Sequence, residues 1–309
     1  MEKTFVKDHF DANAETWLAE NYDGDGYVYS TPRHRIRVVL QNLADAGEAL
    51  EVADIGCGGG DLALTLEAAG HRVTGLDQAP GMIEIAEARR RDLPETAQAK
   101  LKFVLGELET NDLPDHAFDA VTSMGVIGYL DDDAPFFRTA DRLLKPGGRL
   151  IVSSRNRLFN MNSLSFRTLN EIEAGAAPEL IAEMSDYCQP VTADAADALV
   201  ARLQSLPAAL AGLPRTGDQG PAPPSIKASE PEIEARQHTP RELNASAAAH
   251  GFECRSVHGI HPHLLDPRLN RLLPPGLFNA LAAPLEALEN QPVSLLWSSV
   301  FIAIYEKKR

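Results

Sequence analysis

Val52-Ala53-Asp54-Ile55-Gly56-Cys57-Gly58-Gly59-Gly60-Asp61, followed by Val73-Thr74-Gly75-Leu76-Asp77, decides how this chain is read. The order is strand, glycine-rich turn, helix start, second strand and then a carboxylate. Glycines let the backbone turn tightly and approach a ligand closely, and a helix entrance offers unpaired N–H groups. A carboxylate about twenty residues after the first glycine can accept hydrogen bonds from ribose hydroxyls. The segment therefore predicts a site for a ribose-bearing cofactor.

The spacing separates two cofactor classes. A dinucleotide fingerprint, G-x-G-x-x-G, needs a third glycine to pack helix on strand. Here that position is Asp61, and the glycines are compressed into Gly58-Gly59-Gly60. Asp54, inside the preceding strand, would repel a pyrophosphate but can reach an ammonium group or hold the loop. The run D-I-G-C-G-G-G resembles the first motif of the class I S-adenosylmethionine-dependent methyltransferases. Further pieces follow in the family's order. They are the strand Leu101–Leu105 ending in Gly106-Glu107-Leu108, the strand Phe118–Met124, and Lys145-Pro146-Gly147-Gly148 leading into the strand Arg149–Ser154.

This resemblance, carried by residues 52 to 154, implies an α/β Rossmann-like fold. Its sheet is seven-stranded and mostly parallel, in order 3-2-1-4-5-7-6, with helices on both faces. It implies S-adenosylmethionine (SAM) as cofactor. The implied cofactor shell is Arg35, Asp54, Gly56, Cys57, Gly58, Asp77, Gln78, Met82, Glu107, Leu108 and Met124. Within it, Glu107 faces the adenine amino group and Arg35 holds the carboxylate, with Arg33 as the next candidate.

Composition narrows the partners. The 309 residues carry 44 Asp and Glu against 29 Lys and Arg, a net charge of −15. Such a surface repels a phosphate backbone, which disfavours a nucleic-acid substrate. Three scattered cysteines, Cys57, Cys188 and Cys254, form neither a disulfide framework nor a zinc pattern. No apolar signal stretch or membrane-spanning run is evident. A cytoplasmic protein without membrane or nucleic-acid partners is expected, and its oligomeric state is left open.

Four regions are read along the chain. Residues 1–45 are expected to form an N-terminal helical lid, with an apolar stripe through Phe5, Phe10, Ala14, Trp17 and Leu18, then Tyr22, Tyr27 and Tyr29. Residues 46–154 form the SAM-binding core. Residues 155–238 are an insertion, helical over Leu164–Tyr187 and Ala193–Leu206 and irregular over Leu206–Pro231, where proline and glycine are dense. Residues 239–309 complete the core: a capped helix opens at Thr239-Pro240-Arg241-Glu242, a strand runs from Phe252 to His258, and Leu295–Tyr305 supplies the final strand after an extended hairpin. Both extensions are expected to flank the substrate mouth.

Methyl transfer needs alignment and exclusion of water more than a catalytic triad. A base is required only when the acceptor loses a proton. His258, His261, His263 and Tyr129 are the catalytic candidates; His258-Gly259-Ile260-His261-Pro262-His263 clusters three groups that titrate near neutrality. A metal reading of these histidines is open but has no partner pattern beyond Asp266, and no metal is expected. Arg155 and Asn156 are the acceptor-binding candidates. Arg155 and Arg157 can hold an acidic group of the acceptor or pair with acids of the lid. The leading function is methylation of a small organic molecule, chiefly at oxygen. A nicotinamide-dependent oxidoreductase and a non-catalytic SAM-binding partner are the alternatives.

Overall fold

The structure is a computed structural model and describes residues 3–14, 31–211, 235–264 and 276–308. Trp17, Leu18, Tyr22, Tyr27, Tyr29, Asp266 and the stretch from 212 to 231 lie outside those residues. The chain places α1 (Lys3–Ala12) and α2 (Thr31–Leu43) before β1 (Glu51–Ile55). Next come α3 (Asp61–Ala68), β2 (Arg72–Asp77), α4 (Pro80–Arg91), β3 (Leu101–Leu105), β4 (Phe118–Met124), α5 (Ala134–Leu143) and β5 (Leu144–Arg155). The insertion carries α6 (Phe166–Glu173), α7 (Ala177–Asp186) and α8 (Ala193–Ala211). α9 (Pro240–Ala249), β6 (Phe252–Pro262) and β7 (Ser298–Lys307) complete the sheet.

The seven strands lie in the order β3-β2-β1-β4-β5-β7-β6. β1 to β5 are parallel, and β7 runs antiparallel between β5 and β6. The chain winds outward from β1 to β3, then returns to β4 on the other side of β1. That reversal opens a crevice at the carboxyl ends of β1 and β4, where ligands of open α/β sheets bind.

Successive strand residues point to opposite faces, and the sheet separates two cores accordingly. One face buries Ala53 and Val121 against Phe136, Phe137 and Leu143 of α5, together with Phe252 and Tyr305. The other buries Val52, Val73 and Ile151 against Val39 and Leu43 of α2 and Leu62 and Leu66 of α3. At the entry to β5 the ladder slips between Phe118 and Ala120 to pass the Lys145–Gly148 bulge. Lys145 Nζ bonds Asp119 Oδ1 at 2.7 Å, and Asp119 Oδ2 accepts the Glu51 N–H, so one carboxylate pins the starts of β1 and β5.

The capped helix forms as the sequence requires: Glu242 N–H donates to Thr239 Oγ1, and Thr239 N–H to Glu242 Oε2 at 2.7 Å. Three boundaries differ from expectation. β6 continues beyond His258 to Pro262, because β7 extends alongside it. β7 begins at Ser298 rather than Leu295, since Pro292–Leu296 coil into a 3₁₀ turn. α8 runs through Pro207 to Ala211, where irregular chain was expected. A proline costs a helix roughly 3 kcal/mol. The Ala-rich turn after it and the bond from Arg202 to the Ala283 carbonyl help hold α8.

Phe137 is fully buried and touches the rings of Phe136, His250, Phe252 and Tyr305. Truncation to alanine leaves a cavity that close-packed neighbours fill only in part. Phe137→Ala is expected to lower unfolding free energy by about 3–5 kcal/mol, measured by urea denaturation.

Candidate active site

A cavity of about 740 Å³ opens at the crevice between β1 and β4. At one end lie Gly56 and Gly58 of the loop, Asp77 and Gln78 after β2, Met82 of α4, Glu107 and Leu108 after β3, and Met124 at the end of β4. Arg35 of α2 also lines it, with its guanidinium beside Gly125, while Arg33 is exposed. The structure thus brings together nine of the eleven residues of the expected cofactor shell.

The loop is built for close approach. Gly56 has φ +71, and a Cβ there would lie 2.2 Å from Val126, so a side chain is excluded sterically as well as by conformation. Gly58, at φ +52, would point a Cβ into space with only the Met82 sulfur near it, at 3.9 Å. Its missing side chain leaves room against the cavity. Asp77 Oδ2 accepts the Gly58 N–H and Oδ1 the Ala79 N–H, each at 2.9 Å. Each carboxylate oxygen can accept more than one hydrogen bond, so capacity for ribose hydroxyls remains. Burial raises the Asp77 carboxyl above its ordinary range, and the backbone N–H groups oppose that shift. These residues fit an adenosyl group: apolar walls at Met82 and Leu108, an acceptor carboxylate at Asp77 and a further one at Glu107.

Asp54 and Cys57 are corrections. Neither lines the cavity. Asp54 is buried between β1 and β4, where Thr122 Oγ1 donates to it at 2.8 Å. Burial lifts its carboxyl to about 7, with Asp77 and Asp61 adding to the rise and the Thr122 bond opposing it. The Cys57 side chain packs in the helix-facing core beside Gly75, and burial pushes its thiol well up. Cys57 serves the loop through its backbone, donating its N–H to the Leu76 carbonyl at 3.1 Å. Asp61, which breaks the dinucleotide pattern, pairs with Arg89 of α4 at 3.0 Å.

The other end of the cavity is polar. Arg155, Tyr129, His261 and His263 line it, with Ser154, Phe159, Asn160 and Ser299. Ser299 lies opposite His261 across the β6–β7 ladder, so the two side chains share a face. Its hydroxyl meets His261 Nδ1 at 3.0 Å and His263 Nε2 at 2.9 Å. The imidazole centroids are 4.6 Å apart, and His263 packs on Phe159 at 4.7 Å. His261 adopts φ +55, a left-handed conformation unusual for a non-glycine residue. Burial drives His261 well below the ordinary histidine value, with His263 and Arg35 pushing the same way, and lowers His263 to about 4. Tyr129 meets Phe10 of α1 edge to face at 5.5 Å.

His258 and Asn156 are the other two corrections. His258 lies three residues from His261, an odd number, so strand alternation turns it to the opposite face. There it meets Ser256 at 2.8 Å and Asn290 at 2.5 Å, away from the cavity. Asn156 follows Arg155 and faces inward. Its amide donates to the Leu295 and Ser298 carbonyls at 2.7 and 2.8 Å, and its oxygen accepts the Leu158 N–H. The two arginine readings divide by residue. Arg157 pairs with Glu171 of α6 at 2.7 Å and Glu242 of α9 at 2.6 Å, whereas Arg155 lines the cavity and pairs with no described acid.

Sequence reasoning missed Ser299, Phe159, Ser154 and, behind Ser154, His238. Ser153-Ser154 at the end of a buried strand was the available signal for Ser154, because hydroxyls there need partners. His238, a lone histidine before a helix cap, carried none. Among the described residues no cluster suits a metal ion, and no helix is long and apolar enough to cross a membrane.

Known proteins bear on this geometry. Residues 53–152 match the family model described as a methyltransferase domain. The mitochondrial ubiquinone biosynthesis O-methyltransferase of Schizosaccharomyces pombe is 30% identical over 155 residues, covering 48% of this chain and 54% of that one. The ubiquinone biosynthesis O-methyltransferase of Xanthomonas campestris pv. campestris strain B100 is 34% identical over 153 residues, covering 48% and 60%. The matches thus span little more than half the length of these curated relatives. In fold, the chain is similar to magnesium protoporphyrin IX methyltransferase from Synechocystis PCC 6803 with bound SAH. There the TM-score is 0.57 at 16% identity, covering 99% of this chain and 100% of that one. The methyltransferase description of the matched residues agrees with S-adenosylmethionine, the cofactor class to which the glycine spacing pointed.

Asp54 gives a testable signature. Its folded carboxyl titrates at about 7, against about 4 for an unfolded aspartate. The folded state therefore holds the proton more tightly, and stability declines as pH rises between those values. Asp54→Asn is expected to gain stability over wild type progressively from pH 4 to 7. The gain, about 4 kcal/mol, levels off above that, read from denaturation curves across the range.

Proposed function

We propose that this chain, whose residues 53–152 match the methyltransferase-domain family model, is a class I S-adenosylmethionine-dependent enzyme that methylates an oxygen of a small organic acceptor. One observation carries the reading. A single cavity joins the glycine loop, Asp77 and Glu107 at one end to Arg155, His261 and His263 at the other. A cofactor held by the first group faces a polar chamber of small-molecule size, since such sites run from about 300 to 1,000 Å³. The ubiquinone-biosynthesis relatives are O-methyltransferases by name, which supports oxygen as the acceptor atom.

When bound, the cofactor supplies a methyl group activated on a sulfonium. The chain supplies position and dryness. Arg35 is assigned to the cofactor carboxylate, Asp77 to the ribose and Glu107 to the adenine end. Val6 and Phe10 of α1 and Phe159 wall the cavity, restricting water as an in-line displacement requires. α1 is tied to the cofactor end, because Asp11 Oδ1 accepts the Gly81 N–H at the start of α4 at 2.6 Å. We assign the described parts of residues 1–45 and 155–238 to covering the site, since Val6, Phe10, Phe159, Phe166 and Arg236 contribute to its wall.

At the acceptor end, Arg155 presents a guanidinium suited to a carboxylate or to an oxygen-rich ring. The His261–Ser299–His263 group presents neutral hydrogen-bonding partners, because burial disfavours charge on both rings. We assign it to holding the acceptor hydroxyl, with Tyr129 against the acceptor ring.

Titration calorimetry is expected to show binding of SAM and none of NAD. Release of S-adenosylhomocysteine is expected with catechol or 3,4-dihydroxybenzoate as probe; SAM binding with no release on any phenol, catechol or amine would favour the non-catalytic reading. Arg155→Met is expected to raise KM for the carboxylated probe about tenfold or more while changing that for catechol little. His263→Ala should raise KM for both. Because His263 stays neutral above about 4, KM in the wild type should be level from pH 5 to 8.

A further inference from the structure

Ser154, at the carboxyl end of β5, lines the acceptor end of the cavity although its side chain is almost wholly buried. Its hydroxyl lies 2.8 Å from His238 Nδ1. His238 Nε2 lies 3.1 Å from Asp133 Oδ1. The three groups come from β5, the end of the insertion and the loop before α5. All are buried, at 4%, 4% and 8% exposure. A carboxylate bonded to Nε2 favours the tautomer with its proton there, and the lone pair on Nδ1 then faces the serine hydroxyl. The order serine, histidine, aspartate is that of a proton-withdrawing relay.

The surroundings support this direction. His238 does not line the main cavity; it lines a second groove beyond Ser154, with Asp133, Glu242 and Ser246. The imidazole therefore forms part of the partition between the two. Its position is fixed by the backbone: His238 N–H donates to the Arg155 carbonyl at 3.1 Å, and its own carbonyl accepts the Arg157 N–H at 2.9 Å. Asp133 is held by Arg236 and by the Ser246 hydroxyl, at 3.0 Å. Burial alone would raise its carboxyl, but the bonds from His238 and Arg236 outweigh this and hold it well below the usual range. Asp133 thus remains a carboxylate. The charged groups around His238 are Asp133 from before α5, Arg236 on its own segment and Arg157 from after β5. Arg157 is neutralised by Glu171 and Glu242.

We propose that Ser154, His238 and Asp133 form a relay that carries the acceptor's hydroxyl proton out of the cavity during methyl transfer. The inference rests on the O-methylation reading above. As the acceptor oxygen bonds to the methyl carbon, the carbon–sulfur bond breaks and its electron pair stays on sulfur. The hydroxyl proton passes to Ser154 Oγ while the serine proton moves to His238 Nδ1. The imidazolium faces Asp133, and the proton leaves through the outer groove. Ser154 is the catalytic residue; His238 and Asp133 act through it. The relay leaves His261 and His263, held neutral by burial, to orient the acceptor.

Two measurements test the relay. The first is independent of turnover: nitrogen-15 NMR of the imidazoles in the SAH-bound full chain, with His238→Gln used to assign the signal. The neutral form of the His238 ring should carry its proton on Nε2, with Nδ1 bare; a neutral ring with its proton on Nδ1 overturns the relay whatever the acceptor. The second is the pH profile of methyl transfer to catechol. His238→Gln and Ser154→Ala should each cut kcat about 100-fold or more, with SAM affinity by calorimetry and KM within about threefold of wild type. The residual rate of His238→Gln should rise about tenfold per pH unit, as hydroxide takes over the base's task. Loss of rate with an unchanged profile marks a structural clamp and overturns the proposal. So does an acid limb near pH 4 that disappears in His263→Gln, which assigns the base to His263. Failure of all methyl transfer in the wild type refutes O-methylation, leaving the NMR result to decide the hydrogen-bond geometry separately.

Discussion

Asp77 closes the end of β2 onto the glycine loop. One carboxylate accepts the Gly58 N–H from the loop and the Ala79 N–H at the entrance to α4. Without those bonds, two backbone donors at the cavity wall would lack a partner, at a cost of about 1–3 kcal/mol each. The arrangement places the largely buried Asp77 near Asp54, where it adds to the rise that burial imposes on the Asp54 carboxyl. The loop's tightness therefore follows from electrostatics as well as from glycine. Further bonds secure it at both ends: Gly56 and Cys57 donate to the Leu76 carbonyl, and Asp11 of α1 receives Gly81 of α4. The position of the N-terminal helix thus depends on the same corner of the sheet.

Most of the fold was legible because its signals are local. Strand, loop and helix over residues 51–68, the Lys145–Gly148 entry and the Thr239 cap all depend on contacts a few residues apart. The strand order came from the resemblance, and the ladders agree with it. The errors at the site share a cause. His258, His261 and His263 look like one cluster in the sequence, but the parity of a strand separates the first from the others. Arg155 and Asn156 are neighbours and face opposite ways for the same reason. Alternation could have settled the histidines once the strand was known to reach Pro262, and Arg155 and Asn156 once β5 was known to end at Arg155. Cys57 belongs to the motif yet lies behind the cavity wall, since the loop presents its backbone to the cavity while the Cys57 side chain serves the core, and Asp54, on β1, is bonded there by Thr122 of β4. Ser154, His238 and Asp133 were out of reach: 84 residues separate the first pair and 105 the second, with no periodic pattern linking them.

The end of β5 distributes these tasks along a rigid rule. Five consecutive residues leave the sheet with different partners. Ser153 accepts the Gly125 N–H, Ser154 meets His238, and both line the cavity with Arg155. Asn156 holds the turn before β7, and Arg157 clamps α6 to α9. A strand advances about 3.3 Å per residue and changes face at every step. Side chains with different roles can therefore stand within a few ångströms of one another without competing for space. The insertion returns to this strand at His238, whose backbone bonds the last residue of β5, Arg155, and Arg157 just beyond it.

α2 is tied from behind. His34 and Arg37 both bond Glu289 of the final hairpin, at 2.5 and 2.6 Å, while Arg35 between them faces the cavity. The His34–Glu289 contact spans 255 residues, and Ser299 and Val300 of the cavity wall come later still. On the ribosome, the glycine loop is made early, but the support for Arg35 and the wall opposite it are among the last pieces to emerge. The parallel strands can assemble before then; the chamber cannot. The chamber is thus completed late in synthesis, because Ser299 and Val300 of β7 form part of its wall.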